Sequence, residues 1–166
     1  PAFRYPGSVN YWLYFGTDSR KKVFAYFNID QTFGREKYLR NTSLFVDLVY
    51  RPVNALSIAV SPSLSFNENQ LQYVGTSDAN GEARYIVGAI DQTVARVVFR
   101  ATYMLTPNLS IEYYGQPFGA SGKYSGFKYV TNASASAYSE RYSNIQSSSM
   151  VQGFDGYLVD ENNDGV

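Results

Sequence analysis

The sequence predicts an all-β fold, an antiparallel transmembrane β-barrel to which this chain contributes about six strands. Residues 56–66 alternate apolar and small polar side chains without a break, and in a strand this pattern makes one face apolar and the other polar. The segment also has the length that a tilted strand needs to cross a bilayer. The 13 glycines, 16 tyrosines and 11 phenylalanines favour strands and turns over helices.

The first three strands follow from alternation bounded by turn residues. Apolar residues recur at every second position from Val9 to Phe15 and again from Val23 to Ile29, on either side of a polar turn at residues 17–20. These two strands are predicted to form a hairpin. A third strand is predicted over residues 43–50, after the polar segment 34–37.

The remaining three strands are separated by connections of unequal length. A turn at residues 51–54 leads into the fourth strand, residues 56–66, and a polar segment over residues 67–83 precedes the fifth, residues 95–105. Residues 106–108 connect to the sixth, residues 109–113. Short periplasmic turns on one side and longer extracellular loops on the other are therefore expected.

Alternation assigns these strand residues to two surfaces. The residues predicted to face lipid are Leu56, Ile58, Val60, Val97, Phe99 and Ile111. The charges predicted to face the lumen are Asp47, Arg96, Arg100 and Glu112. Arg100 and Glu112 fall opposite or diagonal to one another, which suggests a charge pair, and a solvent-facing pair on an ordinary sheet is the alternative.

Periodicity alone leaves a second fold open. A soluble β-sandwich also alternates apolar and polar residues along its strands. Within a barrel, the bulky inward side chains Trp12, Phe24, Tyr26 and Phe45 indicate a filled lumen, which favours an anchor over an open pore.

Composition excludes several classes of function. The 14 basic and 14 acidic residues cancel, and no Lys/Arg cluster is interleaved with aromatic residues, so nucleic acid is not an expected partner. The chain contains no Cys and no His, which removes Ser-His-Asp and Cys-His catalysis and thiolate metal sites. We therefore expect no catalytic residues in this chain and no cofactor beyond the ion considered next.

One segment resembles the start of a calcium-binding loop. Asp160, Asn162 and Asp164 alternate before Gly165, and such a D-x-N-x-D-G pattern directs oxygen ligands at one Ca²⁺ ion while Gly permits the sharp turn. An acidic, solvated loop is the alternative interpretation of the same residues.

A family resemblance decides between sandwich and barrel. The sequence is similar to the C-terminal outer-membrane barrel domain, of unknown function, of a Bacteroidota family in which a family 9 carbohydrate-binding-like domain comes first. The stretches that carry the resemblance, over residues 4–142, are Arg4-Tyr5-Pro6-Gly7, residues 18–22, Gln72-Tyr73-Val74-Gly75, Arg84-Tyr85, Asp91-Gln92 and, most specifically, residues 105–128.

The resemblance implies an outer-membrane location and no established catalytic residues. Residues 1–142 are then part of a barrel, and residues 143–166 are a polar loop or linker leading to further strands. Six strands are too few for a closed bacterial barrel, so the lipid bilayer and the remaining strands of a longer parent chain are the expected partners.

The expected function is to anchor a larger envelope protein, with carbohydrate binding or membership of an envelope complex as further expectations. The alternatives are a transport pore and a glycan-acting enzyme whose active part lies outside this chain.

Overall fold

The chain folds into β-strands, with one-turn 3-10 helices at Arg35–Lys37 and Tyr138–Glu140 in two of the connections. The computed structural model describes residue 3 and residues 5–79, 82–146, 149–152 and 157–159 of the 166-residue chain. The strands are β1 (Ser8–Gly16), β2 (Val23–Gly34), β3 (Leu39–Val53), β4 (Leu56–Ala79), β5 (Glu82–Thr106), β6 (Leu109–Gly115), β7 (Phe118–Val130), β8 (Tyr142–Asn144), β9 (Met150–Gln152) and β10 (Tyr157–Val159). Within this part of the chain, no helix is long and apolar enough to span a membrane.

Strands β1 to β8 form one antiparallel sheet, which confirms the all-β class. Neighbours in sequence are neighbours in space from β1 to β5. Strand β6 pairs with the C-terminal part of β5 and β7 with its N-terminal part, so β6 and β7 follow one another along the same edge. The sheet is not closed into a barrel, and β9 and β10 form a separate two-stranded sheet.

Two sequence expectations about the strands are wrong. The sheet has eight strands, not about six, because residues 118–130 and 142–144 also pair. Most of the segment 67–83, predicted as a long polar loop, continues β4 to Ala79, which pairs with Glu82 of β5. Two register shifts interrupt the pairing of this extension, between Asn69 and Gln72 and between Tyr73 and Gly75, so its residues do not keep the regular alternation that reveals a half-buried strand.

The connections at the two ends of the sheet differ in form. We call the end with residues 54–55 and 107–108 the short-turn end, and the end toward which β4 and β5 extend the hairpin end. At the short-turn end, residues 17–22 also join β1 to β2, and the Arg20 side chain makes an ion pair of 2.9 Å with Asp18. This pairing lowers the pKa of Asp18 and orders the turn.

A small hydrophobic core lies at the hairpin end. Leu71 of β4 is 1% exposed and packs with Tyr38 and Val87. Partly buried residues surround these three, namely Phe3, Leu39, Val130, Tyr138 and Tyr142. The core thus ties the long β4–β5 hairpin to β3, β7 and β8.

Leu71→Ala should destabilise the folded protein by about 2–5 kcal/mol, because it removes a fully enclosed side chain and leaves a cavity. Val74→Ala, on the same strand at a side chain that is 44% exposed, should change the free energy of unfolding by less than about 0.5 kcal/mol. Denaturant titration of both variants checks this. If the two variants lost equal free energy of unfolding, packing around Leu71 would not stabilise the β4–β5 hairpin.

Candidate functional site

One face of the sheet is apolar across six neighbouring strands, and we call it the apolar face. Its residues align in cross-strand rows, because the pairing register is continuous through the centre of the sheet. One such row is Leu13, Ile29, Leu44, Leu64, Ala95 and Gly119. A second row, nearer the short-turn end, is Ala25, Leu48, Val60, Phe99 and Gly115.

The six residues predicted to face lipid all lie on the apolar face. Val60 pairs with Phe99, and Val97 is two residues from Phe99 on the same strand. Ile111 pairs with Tyr103, which itself pairs with Leu56. Ile58 lies between Leu56 and Val60 in the alternation, so the structure brings the whole set together.

The apolar face ends at a row of charges toward the hairpin end. Arg40, Glu68, Asp91 and Lys123 pair consecutively across β3, β4, β5 and β7; we call them the charged row. Arg40 Nη1 lies 3.9 Å from Glu68 Oε1. Toward the short-turn end, the face carries the tyrosines Tyr50, Tyr103 and Tyr113 among its last apolar residues.

The length of the apolar stretch on β4, which with its neighbours on the other strands we call the apolar band, can be compared with the thickness of a membrane core. From Leu56 to Phe66, the apolar face of β4 advances by ten residues, or about 33 Å at the usual rise per residue. A strand tilted by about 45° then spans about 23 Å along the membrane normal, close to the band of about 25 Å found in outer-membrane barrels.

No second layer covers the apolar face in the described part of the chain. Leu13 is 61% exposed, Phe99 42% and Ile111 57%, although residues of these types are usually enclosed in a soluble protein. A continuous exposed apolar surface of this kind marks contact with a membrane or another protein.

The opposite face, which we call the polar face, carries the four predicted lumen charges. Asp47 accepts a hydrogen bond of 2.7 Å from Ser61 Oγ, and Arg96 Nε donates one of 3.2 Å to Ser63 Oγ. Serines recur on this face of β4 at positions 57, 61, 63 and 65. Small hydroxyl side chains therefore separate the acidic side chain on β3 from the basic ones on β5.

Arg100 and Glu112 share the polar face but do not form an ion pair. Glu112 pairs with Thr102, and Arg100 pairs with Tyr114, so the two charges are diagonal neighbours. The Arg100 Cζ lies 5.6 Å from the centroid of the Tyr114 ring. Within the described residues, the ion pairs involve Arg20 and Arg40 instead.

Aromatic side chains of the polar face differ in burial. Phe24 is only 4% exposed, with the Arg51 guanidinium 4.9 Å from its ring centroid, so it closes the short-turn end of this face. Trp12 is 71% exposed and Phe45 36%. Of the bulky residues expected to fill a lumen, Phe24 is therefore buried in this open sheet, whereas Trp12 and Phe45 are exposed.

Sequence reasoning missed the charged row. Glu68 lies in the segment predicted as a loop, and Asp91 precedes the predicted fifth strand. Only the pairing register places them beside Arg40 and Lys123. The sequence does contain a signal for this row: Glu68 continues the two-residue period of the apolar positions 56–66. A charged residue at the next position of such a period marks the end of an apolar face.

The calcium-loop candidates Asp160, Asn162 and Asp164 lie outside the described residues. Among the described residues, no group of three or more acidic side chains is placed to hold a metal ion.

Comparison with known protein families identifies the family of this chain. Residues 1–159 match a family described as Domain of unknown function (DUF5916), and the chain belongs to that family. No curated protein and no solved structure matches the chain.

Ser61→Ala should lower the free energy of unfolding by about 1 kcal/mol, because it removes the hydrogen bond to the Asp47 carboxylate. The matched control is Ser57→Ala, on the same face of β4, where the described residues include no side-chain hydrogen-bond partner. Denaturant titration of both variants is the measurement. Equal effects would contradict a stabilising Ser61–Asp47 contact.

Proposed function

We propose that the chain forms part of the wall of an outer-membrane β-barrel that anchors a larger envelope protein. The apolar face contacts lipid, and the polar face lines the interior. The short-turn end faces the periplasm, and the β4–β5 hairpin extends away from the cell, as is usual for the longer connections of such barrels.

The observation that carries this proposal is the apolar band itself. It runs across six neighbouring strands, the charged row borders it on β3, β4, β5 and β7, tyrosines lie near its short-turn end, and no described residue covers it. Aromatic and charged borders are typical of lipid-facing surfaces. A sandwich would bury this face under a second sheet.

The open edges of the sheet support participation in a larger barrel. All nine residues of β1 are exposed, and β1 pairs only with β2 in the described structure. An unpaired backbone edge in hydrocarbon costs several kcal/mol per group. Further strands of the parent chain therefore pair with β1 and with the β6–β7 edge to close the barrel.

The resemblance to the Bacteroidota outer-membrane family extends the proposal beyond these strands. In that family, a family 9 carbohydrate-binding-like domain precedes the barrel. By this analogy, the anchored part binds carbohydrate at the cell envelope, alone or within an envelope complex.

A transport pore is the second candidate. The exposed Arg96 and Arg100 of the polar face favour it, because a filled lumen would cover them. Conductance of the complete protein in a planar bilayer distinguishes a pore, which passes ions steadily, from a plugged anchor, which does not.

Val97→Arg and Val98→Arg form a matched pair, because the two valines are adjacent on β5 and point to opposite faces. If the apolar face contacts lipid, V97R should cost about 2–4 kcal/mol near the membrane centre, and V98R should be tolerated in a wet interior. Folding of the complete protein into lipid vesicles, measured across a urea series, gives both values. Equal costs would contradict the assignment of faces.

Single-cysteine variants test the same assignment in intact envelopes. A lipid-confined thiol reagent should label I58C, V97C, F99C and I111C, whereas a water-soluble reagent should label S57C, R96C, R100C and E112C. If neither set reacts from the lipid phase, the sheet is not in a membrane and the proposal fails.

A further inference from the structure

A groove on the polar face combines aromatic, hydroxyl and guanidinium groups. It encloses about 510 Å³, which lies within the usual range for small-ligand sites. Phe45, Ser63, Arg96 and Phe118 line it. These four residues form one cross-strand row, because each pairs with the next across β3, β4, β5 and β7.

Arg96 supplies the charge of the groove. Its Nε donates to Ser63 Oγ, and among the described residues no side chain accepts a hydrogen bond from its terminal N–H groups. No acidic side chain lines this groove, and in the described part of the chain no carboxylate makes an ion pair with Arg96. A planar guanidinium of this kind binds carboxylates with two parallel hydrogen bonds.

Phe45 and Phe118 supply apolar surfaces on either side of Arg96 and Ser63. They lie three strand spacings apart, about 14 Å, and are 36% and 72% exposed. Such rings offer flat apolar faces to a ligand ring. Both therefore present accessible surface to a molecule in the groove.

Hydrogen-bonding groups surround the row. Ser43 and Ser65 also line the groove, with their hydroxyl oxygens 3.1 Å apart. Gln116 lines it too, and its Oε1 accepts a hydrogen bond from the Tyr114 hydroxyl, which leaves its amide N–H groups as donors. Hydroxyls and amides both donate and accept hydrogen bonds, so they suit a ligand rich in hydroxyl groups.

We infer that this groove binds a saccharide that carries a carboxylate, of the uronic acid class. The carboxylate binds Arg96, the sugar hydroxyls bind the serines and Gln116, and the ring packs against Phe45 or Phe118. This inference rests on the proposed function, because it requires the polar face to be in contact with water.

Protection of a cysteine reporter tests the inference on the complete protein in lipid vesicles. Val94 lines the groove without contributing a polar group, so V94C reports on occupancy, and T102C reports on the polar face outside it. Glucuronate should slow modification of V94C, but not of T102C, by a water-soluble thiol reagent, and glucose should have much less effect. R96Q should weaken protection by about tenfold or more, whereas R40Q, on the opposite face, should not.

The outcomes separate the two claims. If V94C reacts with the water-soluble reagent and glucuronate gives no protection, the groove does not bind the saccharide. The proposed contact of the polar face with water is then still supported. Equal protection by glucose, or full protection in R96Q, overturns the role of the carboxylate. If V94C reacts only from the lipid phase, both the inference and the proposed function fail.

Discussion

Antiparallel pairing, in a register that is continuous across the centre of the sheet, is the constraint on which the rest of the structure depends. Strand β5 pairs with β4 on one side and with β6 and β7 on the other, so its side chains alternate strictly between two faces. A slip by one residue would move Arg96 and Arg100 onto the apolar face and Val97 and Phe99 onto the polar face. The pairing register therefore decides which side chains each face carries. In turn, the separation of apolar from polar side chains favours this register over one shifted by a residue.

The register shifts lie at or beyond the two borders of the apolar band. Those of β4 occur after Asn69, beyond the charged row, and the shift in β7 includes Gly126, whose φ of +56° a residue with a side chain rarely adopts. At the short-turn end, the shifts fall after Tyr50 and after Met104. The centre of the band is thus regular. At the β4 irregularity, the Leu71 N–H donates to Asn69 Oδ1 and the Gln70 N–H to the Tyr38 carbonyl oxygen, so these backbone donors are satisfied outside the strand ladder.

The sequence predicts the two faces well, because alternation is a local property: Leu56, Val60 and Phe99 can be assigned without knowledge of any partner strand. Features that depend on pairing could not be predicted. The charged row exists only through the alignment of β3, β4, β5 and β7, and β7 itself, with Gly119, Gly122 and Gly126, lacks the apolar period that reveals a strand. The groove at Arg96 likewise needs Phe45 and Phe118 from strands far apart in sequence.

A spin-label scan of residues 94–103 on β5, in the complete protein in lipid bilayers, tests the central claim most directly. Collision with oxygen, which concentrates in lipid, should peak at odd-numbered residues, and collision with a water-soluble nickel complex should peak at even-numbered ones. Two out-of-phase oscillations with a period of two residues are the predicted result. If odd-numbered positions are shielded from both reagents, a protein layer covers the apolar face and the membrane assignment is contradicted.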